Sequence, residues 1–254
     1  MTTADILTRV NAARACDDMP ITARMELEKL ATDLAAKIRK ETAAERGCAS
    51  AVTTLTRILK DAGKNRPQLG GAWLDKQGRQ CTCNGYIAFR LKEAIPLPSI
   101  PEKTEPLDLA AVIDPVERRE NIPVPTPDRQ EVKAFITLEK AANGKKHTPV
   151  WDFGPGFPAV NAELLYDFLS VLPDAKLHAA ATGKNRYFGP LYATSKLGDG
   201  VLLPVRASSK NAEYNRSEAI SKALQEAECS AKKTQRENTL DLAAFGRIAA
   251  AMAS

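Results

Sequence analysis

The chain has 254 residues, 44% hydrophobic and 26% charged, with a formal net charge of +5. That balance excludes wholesale disorder and supplies enough apolar residues for a sizeable core in one or two domains. Five scattered cysteines, an odd number, exclude a fully paired disulfide framework and point to a reducing cytoplasm. No run approaches the roughly 20 apolar residues of a membrane helix, and the first residues lack a secretory signal pattern, so a soluble cytoplasmic protein without membrane contact is expected. The mildly basic balance permits an acidic partner such as DNA without requiring one.

Residues 3–15 read as a short helix, broken at Asp17, Asp18 and Pro20. From Ile21 to about Ala44, Met25, Leu27, Leu30, Ala31, Leu34 and Ile38 make one apolar side of a second helix, with mixed charges on the others. Ser50 is expected to cap a third, with Val52, Leu55, Leu59 and Ala62 inward and Gly63 at its end. Arg57, Lys60, Lys64 and Arg66 give this helix and its exit a basic bias. Residues 69–75 then read as a strand and 76–78 as a tight turn. Residues 79–91 read as one long strand with Cys81, Cys83, Ile87, Phe89 and Leu91 on a common face and a bend or bulge at Gly85.

Prolines crowd residues 95–127, which reads as a connector with at most a short helix at 107–113. The alternation of Val132, Ala134, Ile136 and Leu138 predicts a strand at 131–139. Asn143-Gly144 is a hairpin signal and 147–153 the returning strand. Asn161 is a helix N-cap, followed by Leu164, Leu165, Phe168, Leu169 and Leu172 at helical spacing, and Pro173 stops the helix. Strands are expected at 176–181, 186–193 and 200–206. The segment 208–254 reads as helical, with short apolar stripes at Ile220 and Leu224 and at Leu240, Leu242, Phe245 and Ile248. The order of elements, helix then strands, thus occurs twice, at 50–91 and at 160–206.

The chemistry-bearing residues do not assemble into a catalytic motif. Cys81 and Cys83 are spaced C-x-C rather than as a C-x₂₋₄-C pair, and with Cys48 and His147 they lack the second close pair of a zinc site; buried same-face cysteines are the plainer reading. His147 and His178 lie in expected strands without a Ser or Cys motif to activate. Gly154-Pro155-Gly156 lacks the G-x-x-x-x-G-K-[ST] pattern of a phosphate loop. Gly183-Lys184 and Tyr187-Phe188 set a cation beside aromatics, a combination suited to single-stranded nucleic acid and equally to a packed hairpin. No cofactor is expected.

Two segments resemble pieces of the bacterial DNA polymerase III β sliding clamp family. Asn161, Leu164, Leu165, Asp167 and Leu169, followed by Leu203, Pro204, Val205 and Arg206, are similar to the family's Phe-Asn-x-x-Tyr-Leu-Leu-Asp-x-Leu helix and its Met-Pro-Met-Arg-Leu strand. Arg66-Pro67-x-Leu69-x-Gly71 and Cys83-Asn84-Gly85-Tyr86-Ile87-Ala88 resemble its Arg-Pro-x-Leu-x-Gly strand and Thr-Asp-Gly-His-Arg-Leu loop, with Ile87 where the family has Arg. The resemblance covers about a third of the chain. It implies an α+β fold with one clamp-like domain at 48–207, built from two helix-plus-strands halves. Helical extensions at 1–47 and 208–254 flank that domain. A peptide-binding groove lined by Gly85, Tyr86, Ile87, Leu203, Pro204 and Val205 follows by position, the plainer reading being ordinary core strands. Arg57, Lys60, Lys64 and Arg66 are then the DNA-facing residues. Glu163 and Asp167 leave the second helix without such a role, and encircling DNA requires several copies in a ring. The function implied is a non-enzymatic accessory of DNA replication or repair, of phage or mobile-element type, working with polymerase-type partners. The alternative is a clamp-fold interaction module or inhibitor that binds a host protein without encircling DNA.

Overall fold

The computed structural model describes residues 2–15, 19–119, 121–154, 157–180 and 189–205. Among them the chain is α+β. Helices α1 (Thr3–Arg14) and α2 (Ile21–Glu45) come first, then α3 (Ala49–Gly63). A single 3-10 turn, Pro67–Leu69, leads into β1 (Trp73–Leu74), β2 (Gln80–Cys83) and β3 (Ile87–Leu91). After α4 (Ala110–Glu117), β4 (Asn121–Val124) and α5 (Arg129–Asn143) come β5 (Val150–Asp152) and β6 (Ala159–Asn161). The last described elements are α6 (Ala162–Val171), β7 (Lys176–Ala180), β8 (Leu191–Thr194) and β9 (Gly198–Leu202).

Seven strands form one antiparallel sheet in the order β1-β2-β3-β9-β8-β7-β4, and β5 pairs with β6 separately. Its centre is the pairing of β3 with β9, Ile87 opposite Leu202 and Leu91 opposite Gly198. Each of these is the third strand after a helix, α3 or α6, and the two helices pack beside one another. Leu55 and Leu59 of α3, Leu165 and Phe168 of α6, and Leu172 just past its end join Ile87, Phe89, Leu91, Leu177 and Leu202 in the main core. Phe168 stacks on Phe89 with centroids 5.2 Å apart, and a Cβ on Gly200 would fall 2.8 Å from the Phe168 ring, so α6 lies tight against β9. On the opposite face, Leu109 at the start of α4 and Ile113 and Val116 within it pack over Trp73, Cys81, Ala88, Tyr192 and Val201.

Several sequence expectations are corrected. Residues 79–91 are not one strand but the β2–β3 hairpin. Asn84 Oδ1 accepts the N–H groups of Tyr86 and Ile87, both at 2.8 Å, and Gly85 takes φ +94°, so the chain reverses where a bulge was expected. Because Cys81 pairs with Arg90 and Cys83 with Ala88, both cysteines point to the α4 side, away from Ile87, Phe89 and Leu91. The expected strand at 131–139 is helix α5: Asp128 Oδ1 caps it by accepting from Gln130 N–H, and Gly144, at φ +91°, ends it. The inward residues are Val132 and Phe135, with Ile136 half-buried, a helical spacing that the alternation concealed. Consequently the strand expected at 147–153 shortens to β5 and pairs with β6.

The expected strand at 69–75 reduces to the 3-10 turn and the two residues of β1. Helix α3 begins one residue before Ser50; the Ser50 hydroxyl donates to Ser170 O at 3.2 Å, tying α3 to α6 instead of capping. The proline-rich stretch is more than a connector: it carries α4 and then β4, which pairs with β7 at the far edge of the sheet, an edge being where Pro123 is tolerated. Strand β9 ends at Leu202, short of the expected 206, and β8 begins at Leu191. The cation–aromatic group at 183–188, residues 186–188 of an expected strand, Arg206 and the segment 208–254, expected to be helical, lie outside the described residues.

Candidate interaction surface and basic helix

Residues 83–87 and 202–205 converge at one end of the central strand pair. The β3–β9 register places Ile87 opposite Leu202, and one residue further the N–H of Leu203 donates to Tyr86 O at 2.9 Å. Beyond this the chain leaves the sheet: Val205 N–H donates to Ala159 O of β6, also at 2.9 Å. Tyr86 is 63% exposed and Leu203 42% exposed; Gly85 is open, and Pro204 and Val205 are half-buried. Ile87 is different. At 2% exposure it belongs to the main core and supports this surface from beneath without lining it.

Tyr86 stands out because its backbone is spoken for on both sides, by Asn84 Oδ1 and by Leu203 N–H, leaving the ring projecting from a fixed turn. Arg66 is at the same place. One of its guanidinium nitrogens would be 3.5 Å from a Cβ on Gly85, so the basic exit of α3 reaches the turn. Cys83 accepts Gly85 N–H at 3.2 Å, and burial pushes its thiol up from the ordinary range, against the opposing pull of that hydrogen bond.

The basic residues of α3 divide into tied and free. Arg57 Nη2 meets Asp167 Oδ1 of α6 at 2.5 Å; burial drives that carboxyl upward, and Arg57 works against the rise. Lys64 pairs with Asp61 at 2.8 Å, and this contact holds the Asp61 carboxyl below its usual range. Lys60 and Arg66 are exposed and have no carboxylate partner among the described residues. On α6, Glu163 is matched by Lys140 of α5 at 2.5 Å, so both acids of that helix are neutralised by neighbouring helices.

Sequence reasoning passed over a charged group on the other face. Arg90, 2% exposed, reaches Asp114 at 2.5 Å and Glu117 at 2.9 Å, both on α4, and Asp199 of β9 at 3.4 Å. Burial opposes its charge, but the carboxylates more than compensate and hold it protonated. Beside it, burial raises the Tyr192 phenol to about 12, with Asp199 adding to the effect. Four residues from three elements make this a tie between α4 and the sheet. The i, i+3 spacing of Asp114 and Glu117 is the one signal the sequence offered.

Among the described residues no group of three or more His, Cys, Asp or Glu side chains could hold a metal ion, and no helix is long and apolar enough to cross a membrane. Cys48, Cys81 and Cys83 are free thiols, and burial pushes Cys81 up to about 11. No family model, curated protein or solved structure matches the chain.

Proposed function

We propose that this chain is a non-enzymatic, clamp-like accessory protein that captures a short linear segment of a partner at the surface formed by Gly85, Tyr86, Leu203, Pro204 and Val205. The observation that carries this reading is the Leu203–Tyr86 hydrogen bond, which sets two sequence-distant segments side by side with a tyrosine and a leucine facing outward. A fixed backbone with exposed apolar side chains loses little conformational freedom on binding. In support of the clamp-like fold stand the two helix-then-strands halves, with β3 and β9 antiparallel at the centre and α3 beside α6 on one face. The setting is a reducing cytoplasm, and the partner is of polymerase type or another host protein.

A second reading, DNA association, has its own observation. Lys60 and Arg66 are free, and the α6 carboxylates that would repel phosphate are already paired. Encirclement then requires several copies closing a ring. The two readings separate by measurement. Peptides selected from a random display library should bind the full chain and lose at least about tenfold affinity in Tyr86→Ser and in Leu203→Asp, a loss of about 1.4 kcal/mol or more. Equal binding by both variants would remove the peptide surface. Duplex binding should fall with salt, and Lys60→Met with Arg66→Met should reduce that slope by about 2. A monomer without salt-sensitive DNA affinity leaves the interaction module alone.

A further inference from the structure

The turn that holds Tyr86 also carries a cation with nothing to neutralise it. Arg66 follows α3 with its backbone fixed on both sides: its N–H donates to Ala62 O at 3.3 Å, and its carbonyl accepts Leu69 N–H at 2.8 Å. Its side chain reaches the β2–β3 turn at Gly85, which has a backbone at φ +94° and no side chain of its own. Leaving aside the residues flanking Gly85, Arg66 Nη1 is the one described atom within 4 Å of the place its Cβ would take. Arg66 is exposed and has no carboxylate partner among the described residues, whereas the nearby Lys64 is taken by Asp61.

A free guanidinium beside Tyr86, Leu203 and Pro204 gives this surface two unlike parts. The exposed Tyr86 and Leu203 side chains offer apolar area. The planar fork of Arg66 matches a carboxylate through two parallel hydrogen bonds, each about twice as strong as one between neutral groups. The cation marks one end only. At the other, Val205 joins Ala159, which faces Asp152 across the β5–β6 pair, and Asp152 Oδ1 accepts Gly154 N–H. A duplex suits this turn less well, because phosphate binding draws on a row of cations and a single free guanidinium stands here among apolar side chains.

We infer that the captured segment carries an Asp or Glu that Arg66 holds, beside the apolar residues that rest on Tyr86 and Leu203; this rests on the peptide-capture reading above. Gly85 adjoins Tyr86, so an acid within about three residues of the apolar anchor, roughly 10 Å of extended chain, reaches the guanidinium. Peptides selected on the full chain from a random display library should be enriched in Asp or Glu at that separation from a large apolar residue. One such peptide, synthesised, should lose affinity about fivefold or more when its acid becomes Gln. Arg66→Gln should cause a similar loss, and the two changes together no more than either alone, as directly coupled groups do. Arg66→Lys keeps the charge without the fork and should retain only part of the affinity. Arg66→Glu should reverse the preference, binding a peptide with Lys at the acidic position more tightly than the original. Because Arg66 is exposed, an unchanged thermal melt controls for folding in each variant. Selected peptides without acids, or losses that add, would overturn the inference and leave peptide capture standing, whereas a library that yields no binder would remove both. A DNA duplex that displaces the peptide from the unaltered chain but not from Arg66→Gln would give the guanidinium to phosphate and overturn the inference as well.

Discussion

α3 and α6 hold matching places, each ahead of three antiparallel strands and on the same face of the sheet, yet they meet solvent differently. α6 has seven of its ten residues buried, Asp167 and Ser170 among them, because α5 covers its outer flank. Phe135 of α5 meets Trp151 edge-on at 5.2 Å, and Arg129 lies over the Tyr166 ring of α6 at 5.9 Å. α3 keeps one side open and places its cations there. A repeated arrangement has become one structural half and one presenting half, and the inserted segment α5–β5–β6 accounts for the difference.

Four substitutions probe that division. Phe168→Ala removes the side chain that joins α6 to Phe89 and should cost about 3–5 kcal/mol of stability, with Leu55→Ala on α3 costing about 2–5. Both should appear in a single urea transition followed by circular dichroism and by tryptophan fluorescence. Two separated transitions would show that the halves are independent, contrary to their shared core. Arg57→Met comes next, at about 1–2 kcal/mol near neutral pH, because it leaves Asp167 buried and charged without its partner. The figure stays small since Arg57 itself is largely exposed. Asp167 already has a raised folded-state pKa, and losing Arg57 raises it further. The folded state then binds a proton before the unfolded state does. The penalty is therefore full above the folded pKa and shrinks as the pH falls through it, which denaturation from pH 7 down to pH 4 would follow. Lys60→Met should change stability by less than about 0.5 kcal/mol, and circular dichroism melting checks that a free cation on the same helix has no structural duty.

What was legible in the sequence was local. The α6 segment announced itself through Asn161, which accepts from the N–H groups of Glu163 and Leu164, and through a clean apolar stripe before Pro173. α5 was missed because Val132, Ala134, Ile136 and Leu138 satisfy a two-residue period by coincidence, while Asp128 and Gly144 mark a helix start and stop as well as they mark turns. The faces of β2 and β3 were missed for a different reason. A reversal at Gly85 changes which residues share a face, and a single strand cannot encode it. Long-range placement was the least readable. Nothing near Arg90 in sequence foretells Asp199, and nothing in a proline-rich stretch foretells an edge strand beside β7. The approach of Tyr86 to Leu203 was expected only through the clamp resemblance, since periodicity carries no information about segments so far apart.

The central pairing of β3 with β9 has a consequence for how the chain is made. Ile87 is synthesised 115 residues before its partner Leu202. At roughly 5–20 residues per second, the first three strands wait on the order of ten seconds on the ribosome with the inner edge of β3 unpaired. During that interval Phe89 and Leu91 lack the partner strand and the α6 side chains that later cover them. An exposed apolar strand edge is a template for pairing with other chains. Cells making this protein quickly should therefore accumulate aggregates of nascent chains that end before residue 198, while completed chains remain dispersed.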